Sequence, residues 1–137
     1  MINNDKLLML LKEKYNLNEV ILQNDIYKLF IWGKEKEKNY IILKNGVCVD
    51  EELSKVQNFI DGLEKIKIKN ATFVFIAFVN NDFKKEDYTG FNGNSFLHTI
   101  SYNLMTSTSM YDKNFYYWGS KKIKQLLSDI EQLFNGG

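Results

Sequence analysis

The chain has 137 residues, 45% of them hydrophobic and 15% aromatic, which is enough apolar material for one packed domain and excludes a disordered chain. Its 18 cationic residues, all lysine, balance 17 acidic residues to a net charge of +1. A strong non-specific nucleic-acid binder would carry a basic excess, and without arginine bidentate recognition of phosphate or guanine is missing. The single cysteine, Cys48, excludes an internal disulfide framework and fits a reducing compartment.

The longest nearly unbroken apolar run, Phe73–Val79, has seven residues, whereas a membrane-spanning helix needs about 20. The first residues show no basic segment followed by an apolar one, which is the pattern of a secretory signal. We therefore expect a soluble, cytoplasmic domain that would meet a membrane only through a segment outside this chain.

Residue periodicity predicts a helix and then three strands in the first part of the chain. Asn3 or Asn4 can cap the helix, which ends near Tyr15–Asn16. The three expected strands are Glu19–Leu22, Ile26–Trp32 and Asn39–Lys44.

Two turns are predicted on either side of the third strand. The alternating charges of Gly33–Lys38 are typical of a solvated hairpin tip, and Asn45–Gly46 is a strong turn signal. A short strand over Val47–Val49 could follow.

The middle of the chain predicts a helix, a buried strand and a long loop. Asp50 is expected to cap an amphipathic helix over residues 50–65, and Ile66–Lys69 is either the exit of that helix or an edge strand. Thr72–Val79 lacks alternation, which predicts a central strand covered on both faces. Residues 80–95 have no periodicity, and loops of that length are usually functional or mobile.

The last part of the chain predicts two strands and a helix. The expected strands are Phe96–Leu104 and the aromatic run Asn114–Trp118, joined by a polar connection at Thr106–Ser109. Ser120 is expected to cap the closing amphipathic helix, residues 120–134. Residues 1–137 are thus predicted to form a single α+β domain, with a mixed sheet of five or six strands and about three helices, in the order α-β-β-β-α-β-(β)-β-α.

The order helix, three strands, helix, strand is also that of the restriction-endonuclease-like core. That fold places an acid on its second strand and an (Asp/Glu)-x-Lys motif on its third, which together hold Mg²⁺. Here Lys44 is present, but Ile42 stands where the second acid should be and Asp25 has no partner acid. One hypothesis is therefore a degenerate nucleic-acid-binding relative of these nucleases that lacks the metal site.

Other catalytic patterns have little support in the sequence. Cys48, His98 and Asp112 could form a thiol-protease triad, but Cys48 lies between two valines, which favours a small buried apolar residue. His98 lies on an alternating segment, where a histidine is usually half-buried or at the surface. One His and one Cys do not predict a zinc site, and no glycine-rich phosphate motif is present. We expect no catalytic residue, no metal and no cofactor.

Aromatic residues are the best candidates for a binding surface. On a strand, Phe115–Trp118 would point alternately to the two faces. Core packing, a protein interface and base stacking beside the following lysines are the alternatives. The predicted interface joins the 80–95 loop to the 111–118 segment, and its residues are Tyr88, Phe91, Asn92, Tyr111, Tyr116, Trp118 and Lys121.

The strand Phe73–Val79, the run Tyr111–Trp118 and the closing helix 120–134 together resemble the soluble N-terminal domain of rhomboid-family proteases from low-GC bacteria. The resemblance covers most of the chain and includes no diagnostic motif. It implies the cytosolic domain of a larger membrane protein, and no catalytic residue is carried over because the Ser and His of these proteases belong to membrane helices. We therefore expect a non-catalytic interaction or regulatory domain that binds a protein rather than a nucleic acid; an aromatic edge strand would also allow a homodimer.

Overall fold

The computed structural model describes residues 4–49, 51–81, 91–92, 95–111 and 121–136. These residues form three helices and one mixed sheet of seven strands, so the predicted α+β class is confirmed. The helices are α1 (Asn4–Tyr15), α2 (Glu52–Lys65) and α3 (Lys121–Gly136). The strands are β1 (Asn18–Val20), β2 (Tyr27–Ile31), β3 (Asn39–Cys48), β4 (Thr72–Val79), β5 (Phe91–Asn92), β6 (Ser95–Asn103) and β7 (Thr108–Tyr111).

The strands lie in the order β1-β2-β3-β4-β6, and both β5 and β7 pair with the far side of β6. β2 is antiparallel to its two neighbours, whereas β3, β4 and β6 run parallel to one another. α2 provides the crossover from β3 to β4. Among the described residues, no helix has the length and apolarity needed to cross a bilayer.

β4 is the centre of the molecule, as its apolar sequence predicts. Its odd-numbered residues, such as Phe75, pack with α2, and its even-numbered residues, such as Ile76, pack with α1 and α3. Both side chains are fully buried, and burying one of this size contributes roughly 2 kcal/mol. The sheet is therefore sandwiched between α2 on one face and α1 with α3 on the other.

α1 and α3 are joined by a polar cluster around Asp129, which is only 6% exposed. Its carboxylate accepts hydrogen bonds from the Tyr15 hydroxyl and from Gln125 Nε2 at 3.0 Å, and Lys14 Nζ lies 3.1 Å away. Burial opposes ionisation of Asp129, but these three donors outweigh it and lower the pKa of the carboxyl. The cluster lies beside a cleft of about 390 Å³ between the two helices.

The predicted turn at Asn45–Gly46 is wrong. β3 continues through these residues to Cys48, and its pairing with β4 shifts register between Leu43 and Val47. Gly46 has a φ of +83°, so the positive φ that a hairpin turn would use serves a bulge within one strand instead. Val47 and Cys48 accordingly belong to β3 and form no separate strand.

The region after β4 also differs from the prediction. Residues 80–95 are not one loop, since β5 and the start of β6 lie within them. The polar connection predicted at Thr106–Ser109 ends early, because β7 begins at Thr108 and pairs with β6. Ile66–Lys69 forms the exit of α2 and no edge strand.

Several sequence predictions concern residues outside the described ranges. They are the caps assigned to Asn3, Asp50 and Ser120, and the strand Asn114–Trp118.

Candidate functional site

Four parallel strands end at one edge of the sheet, which we call the carboxyl edge. β3, β4 and β6 reach it in register, with Cys48 beside Val79 and Val79 beside Asn103. β1 runs in the same direction, so it ends there too, next to the start of β2. In open sheets of this kind, ligands commonly bind beyond the carboxyl ends of the strands.

A buried charged cluster lies just below the carboxyl edge, on the α2 face. Tyr27 opens β2 opposite Lys44 of β3, and Glu52 is the first residue of α2. Lys44 Nζ lies 2.6 Å from Glu52 Oε1, and the Tyr27 hydroxyl donates to the same oxygen at 3.1 Å. Glu52 is completely buried, and its Oε2 has no hydrogen-bond partner among the described atoms.

The position of Glu52 reduces the cost of burying its charge. The amino end of a helix carries partial positive charge, and the ammonium of Lys44 supplies the counterion. An ion pair of this kind is a weak source of net stability, because desolvation offsets most of the attraction.

Cys48 lies next to this cluster, and both the Cys48 thiol and the Tyr27 hydroxyl are held in their protonated forms. Burial, followed by the negative charge of Glu52, raises the pKa of the Cys48 thiol to about 12, although Lys44 partly opposes the shift. Burial and the charge of Glu52 also raise the pKa of Tyr27. A thiol with this pKa is a poor nucleophile, because the thiolate is the reactive form.

The geometry does not bring Cys48 and His98 together. Cys48 packs on the α2 face. His98 is paired with Val74, which faces α1 and α3, so His98 points to the other side of the sheet. His98 is only 2% exposed and stacks on Phe96, which corrects the expectation of a half-buried or surface histidine. The thiol-protease triad, which had little support in the sequence, is therefore not formed; Asp112 lies outside the described residues.

The described residues at the nuclease-like positions do not form a metal site. Ile42 is completely buried against α2, and Lys44 is engaged with Glu52. Asp25 lies on the exposed turn before β2. Within the described parts of the chain, no three His, Cys, Asp or Glu residues are grouped closely enough to hold a metal ion.

Exposed apolar side chains are also found along the carboxyl edge. One of them follows β1, one precedes β2, two lie at the end of β3, and one lies in the turn after β6. A cleft of about 200 Å³ lies at the β1–β2 end of this edge and is lined in part by Asn24, whose Oδ1 accepts hydrogen bonds from the backbone nitrogens of Ile26 and Tyr27. The exposed residues are Ile21 (85% exposed), Ile26 (57%), Val47 (40%), Val49 (47%) and Met105 (76%). We call these five residues the apolar rim.

The predicted interface residues occupy other parts of the fold. β5 places Phe91 and Asn92 beside the first residues of β6, at the end opposite the carboxyl edge. Tyr111 pairs with Ile100 farther along the same side of β6, and Lys121 is exposed in the first turn of α3. Tyr88, Tyr116 and Trp118 lie outside the described residues. The backbone therefore places Phe91, Asn92 and Tyr111 along one side of β6, and the proposed interface stays a prediction.

The apolar rim and the Lys44–Glu52 cluster were not predicted from the sequence. Single exposed aliphatic residues in turns are common, so only their shared edge distinguishes them. The one available signal was Glu51–Glu52 at a helix start, which indicates a favourable helix dipole but not a buried ion pair. Comparison with family models, with curated proteins and with solved structures found no match to this chain.

Proposed function

We propose that this chain is a non-catalytic interaction domain that binds a protein partner at the carboxyl edge of its sheet. The observation that carries the proposal is the apolar rim, five exposed aliphatic side chains grouped at one edge. Exposed apolar side chains gathered at one edge of a sheet are a common feature of protein contact sites.

The chemistry of the cluster supports a binding role over a catalytic one. The Lys44 ammonium and the Glu52 carboxylate neutralise each other below the surface, and the Cys48 thiol is protonated. The resemblance to the N-terminal domain of rhomboid proteases agrees with this role and stays a prediction. Two of its three features, the apolar strand and the closing helix, correspond to β4 and α3; most of the aromatic run lies outside the described residues.

Site-specific photocrosslinking tests the proposal. A benzophenone amino acid would replace Ile21, Val49 or Met105 in turn, and the exposed Asn58 on α2 would be the matched control position. In extracts of the organism that makes the protein, the three rim positions are expected to give one common adduct that the control position does not give. An adduct at Asn58 of equal yield, or none at the rim, would contradict a partner at this edge.

A second candidate is a nucleic-acid-binding domain with a nuclease-like core. The observation in its favour is that the described chain contains α1, three strands, α2 and β4 in the order of that core, with Lys44 on the third strand. This candidate function requires an affinity for duplex DNA that falls steeply as the salt concentration rises. Fluorescence anisotropy at 50 mM and 200 mM salt measures this, and no binding at the lower concentration would eliminate the candidate.

A further inference from the structure

Three lysine-rich segments meet at the amino edge of the sheet, opposite the carboxyl edge. They are the β2–β3 connection (34–38), the exit of α2 (65–69) and the first turn of α3 (121–124). Each segment contributes three lysines, so that nine of the 18 lysines of the chain are gathered here. All nine side chains are exposed. We call this set the lysine edge: Lys34, Lys36, Lys38, Lys65, Lys67, Lys69, Lys121, Lys122 and Lys124.

Direct contacts hold the three segments together. The backbone nitrogen of Thr72 donates to the Lys38 carbonyl at 2.9 Å, and Lys38 Nζ donates to the Lys69 carbonyl at 3.4 Å. Lys122 Nζ lies 2.9 Å from Glu37 Oε2, which joins α3 to the β2–β3 connection. Because α2 and α3 lie on opposite faces of the sheet, the lysines extend across its full thickness.

The lysine edge carries a strong local charge. Its three segments contain nine lysines and two acids, Glu35 and Glu37, a difference of +7, whereas the whole chain has a net charge of +1. Glu64, at the border, accepts a hydrogen bond from Ser95. The positive charge is therefore concentrated at one end of the molecule.

An exposed aliphatic side chain lies in one of the three segments. Ile66 is 57% exposed and follows the last residue of α2, between Lys65 and Lys67. Its neighbour Ile68 instead packs against the core on the α2 face. The sequence Lys-Ile-Lys-Ile-Lys thus anchors one isoleucine inside and presents the other to solvent among ammonium groups.

We propose that the lysine edge binds the surface of a membrane rich in anionic lipids, with Ile66 entering the headgroup layer. Lysines near such a surface attract it with an affinity gain of about fivefold each. An aliphatic side chain among them adds a contribution that depends on a bilayer and not on phosphate alone.

A nucleic acid is the other polyanion that a lysine surface can attract, and the details favour the lipid. The chain has no arginine for base or phosphate forks, and no aromatic residue is among the exposed large apolar side chains described. An exposed isoleucine such as Ile66 would add no affinity for a phosphate backbone. The expectation that a membrane is met only through a segment outside this chain rested on the lack of a membrane-spanning apolar run and of a secretory signal, and neither bears on binding to a membrane surface.

Vesicle co-sedimentation tests the proposal. The whole chain is expected to bind vesicles of 70% phosphatidylcholine and 30% phosphatidylserine in 50 mM salt, to bind pure phosphatidylcholine vesicles much less, and to be released in 500 mM salt. Lys67→Gln with Lys69→Gln should lower the affinity about 25-fold. Ile66→Ser should lower it about tenfold.

Two control variants match these changes in charge and polarity. Lys6→Gln with Lys55→Gln removes two charges from the beginnings of α1 and α2, and Met9→Ser removes an apolar side chain of α1 that is 58% exposed; both should leave vesicle binding unchanged. Circular dichroism melts establish that every variant folds.

The proposal would be overturned by equal losses in the controls, by no binding at low salt, or by an Ile66→Ser variant that binds normally. Binding to a 20-base-pair duplex without binding to vesicles would also overturn it, and would assign the lysine edge to nucleic acid. Because the rim is tested by crosslinking, failure here is distinguishable from failure of the protein-partner proposal.

Discussion

Glu52 shows how one residue can be well placed and still contribute little net stability. It has a counterion in Lys44, a hydroxyl donor in Tyr27 and a favourable helix end, yet the whole side chain is removed from water and one oxygen has no partner among the described atoms. Desolvation and attraction nearly cancel in such a pair. Removing one partner of the pair should therefore lower the free energy of unfolding much more than removing both.

We expect Lys44→Met to lower the free energy of unfolding by about 3 kcal/mol, since it leaves a buried carboxylate without its counterion. The double variant Lys44→Met/Glu52→Leu should recover most of that loss. Urea denaturation followed by circular dichroism measures both. Lys14→Met is the control: its ammonium also pairs with a buried carboxylate, but its side chain is 59% exposed, so the loss should stay below about 1 kcal/mol. If Lys44→Met were as stable as the original protein, the Lys44 ammonium would contribute nothing to the burial of the Glu52 carboxylate.

The raised pKa of Cys48 makes stability depend on alkaline pH. The ordinary pKa of the thiol is 9.0, and in the folded protein it is about 12. Between these values the unfolded chain loses the proton while the folded chain keeps it. The free energy of unfolding should therefore be unaffected below pH 9 and fall above it by up to about 1.4 kcal/mol per pH unit. Urea denaturation from pH 7.5 to 10.5 measures the slope. Cys48→Ala should reduce it to the part due to Tyr15, Tyr27 and Tyr40, whose pKa values are also raised, and identical slopes in the two proteins would refute the assignment.

At the scale of elements, the sequence was sufficient to predict those helices and strands that local periodicity determines. The three helices and β4 follow from the spacing of their apolar residues, which needs no knowledge of neighbours. The bulge at Gly46 does not, because a positive φ suits a hairpin turn and a bulge equally well. β7 was missed because Thr108 and Ser109 are polar and become a strand only by pairing with β6. The apolar rim likewise depends on which strand ends are adjacent.

Two glycines in different elements should respond in opposite ways to alanine. Gly46 has a φ of +83°, whereas Gly62 is inside α2, and no atom lies within 4 Å of an added Cβ at either position. Gly46→Ala should lower the free energy of unfolding by about 1 kcal/mol through backbone strain alone. Gly62→Ala should raise it by roughly 0.5 to 1 kcal/mol, because glycine costs that much inside a helix. Thermal melts of the two variants provide the comparison, and a stabilised Gly46→Ala would show that the bulge does not need a positive φ.

At the scale of the whole molecule, the sheet separates two surfaces of different chemistry. The carboxyl edge has the apolar rim, and the amino edge has the lysine edge, which includes the exposed Ile66. Composition could not predict this separation, since near neutrality results equally from mixed charges and from charges segregated to opposite ends. An eight-residue strand such as β4 spans about 26 Å, and this is more than two Debye lengths at physiological salt.

This distance predicts that the two edges act independently. Substitutions more than about 10 Å apart that share no partner usually have additive effects. A protein with both Ile66→Ser and Met105→Ser should bind anionic vesicles as weakly as Ile66→Ser alone. Its rim adduct, formed through a benzophenone at position 49, should have the same yield as with Met105→Ser alone. Co-sedimentation compares the vesicle affinity of the double variant with that of Ile66→Ser. Crosslinking compares the adduct yield of the double variant with that of Met105→Ser. A double variant that loses more vesicle affinity than Ile66→Ser alone would show that the edges are coupled, or that the rim itself contacts the bilayer.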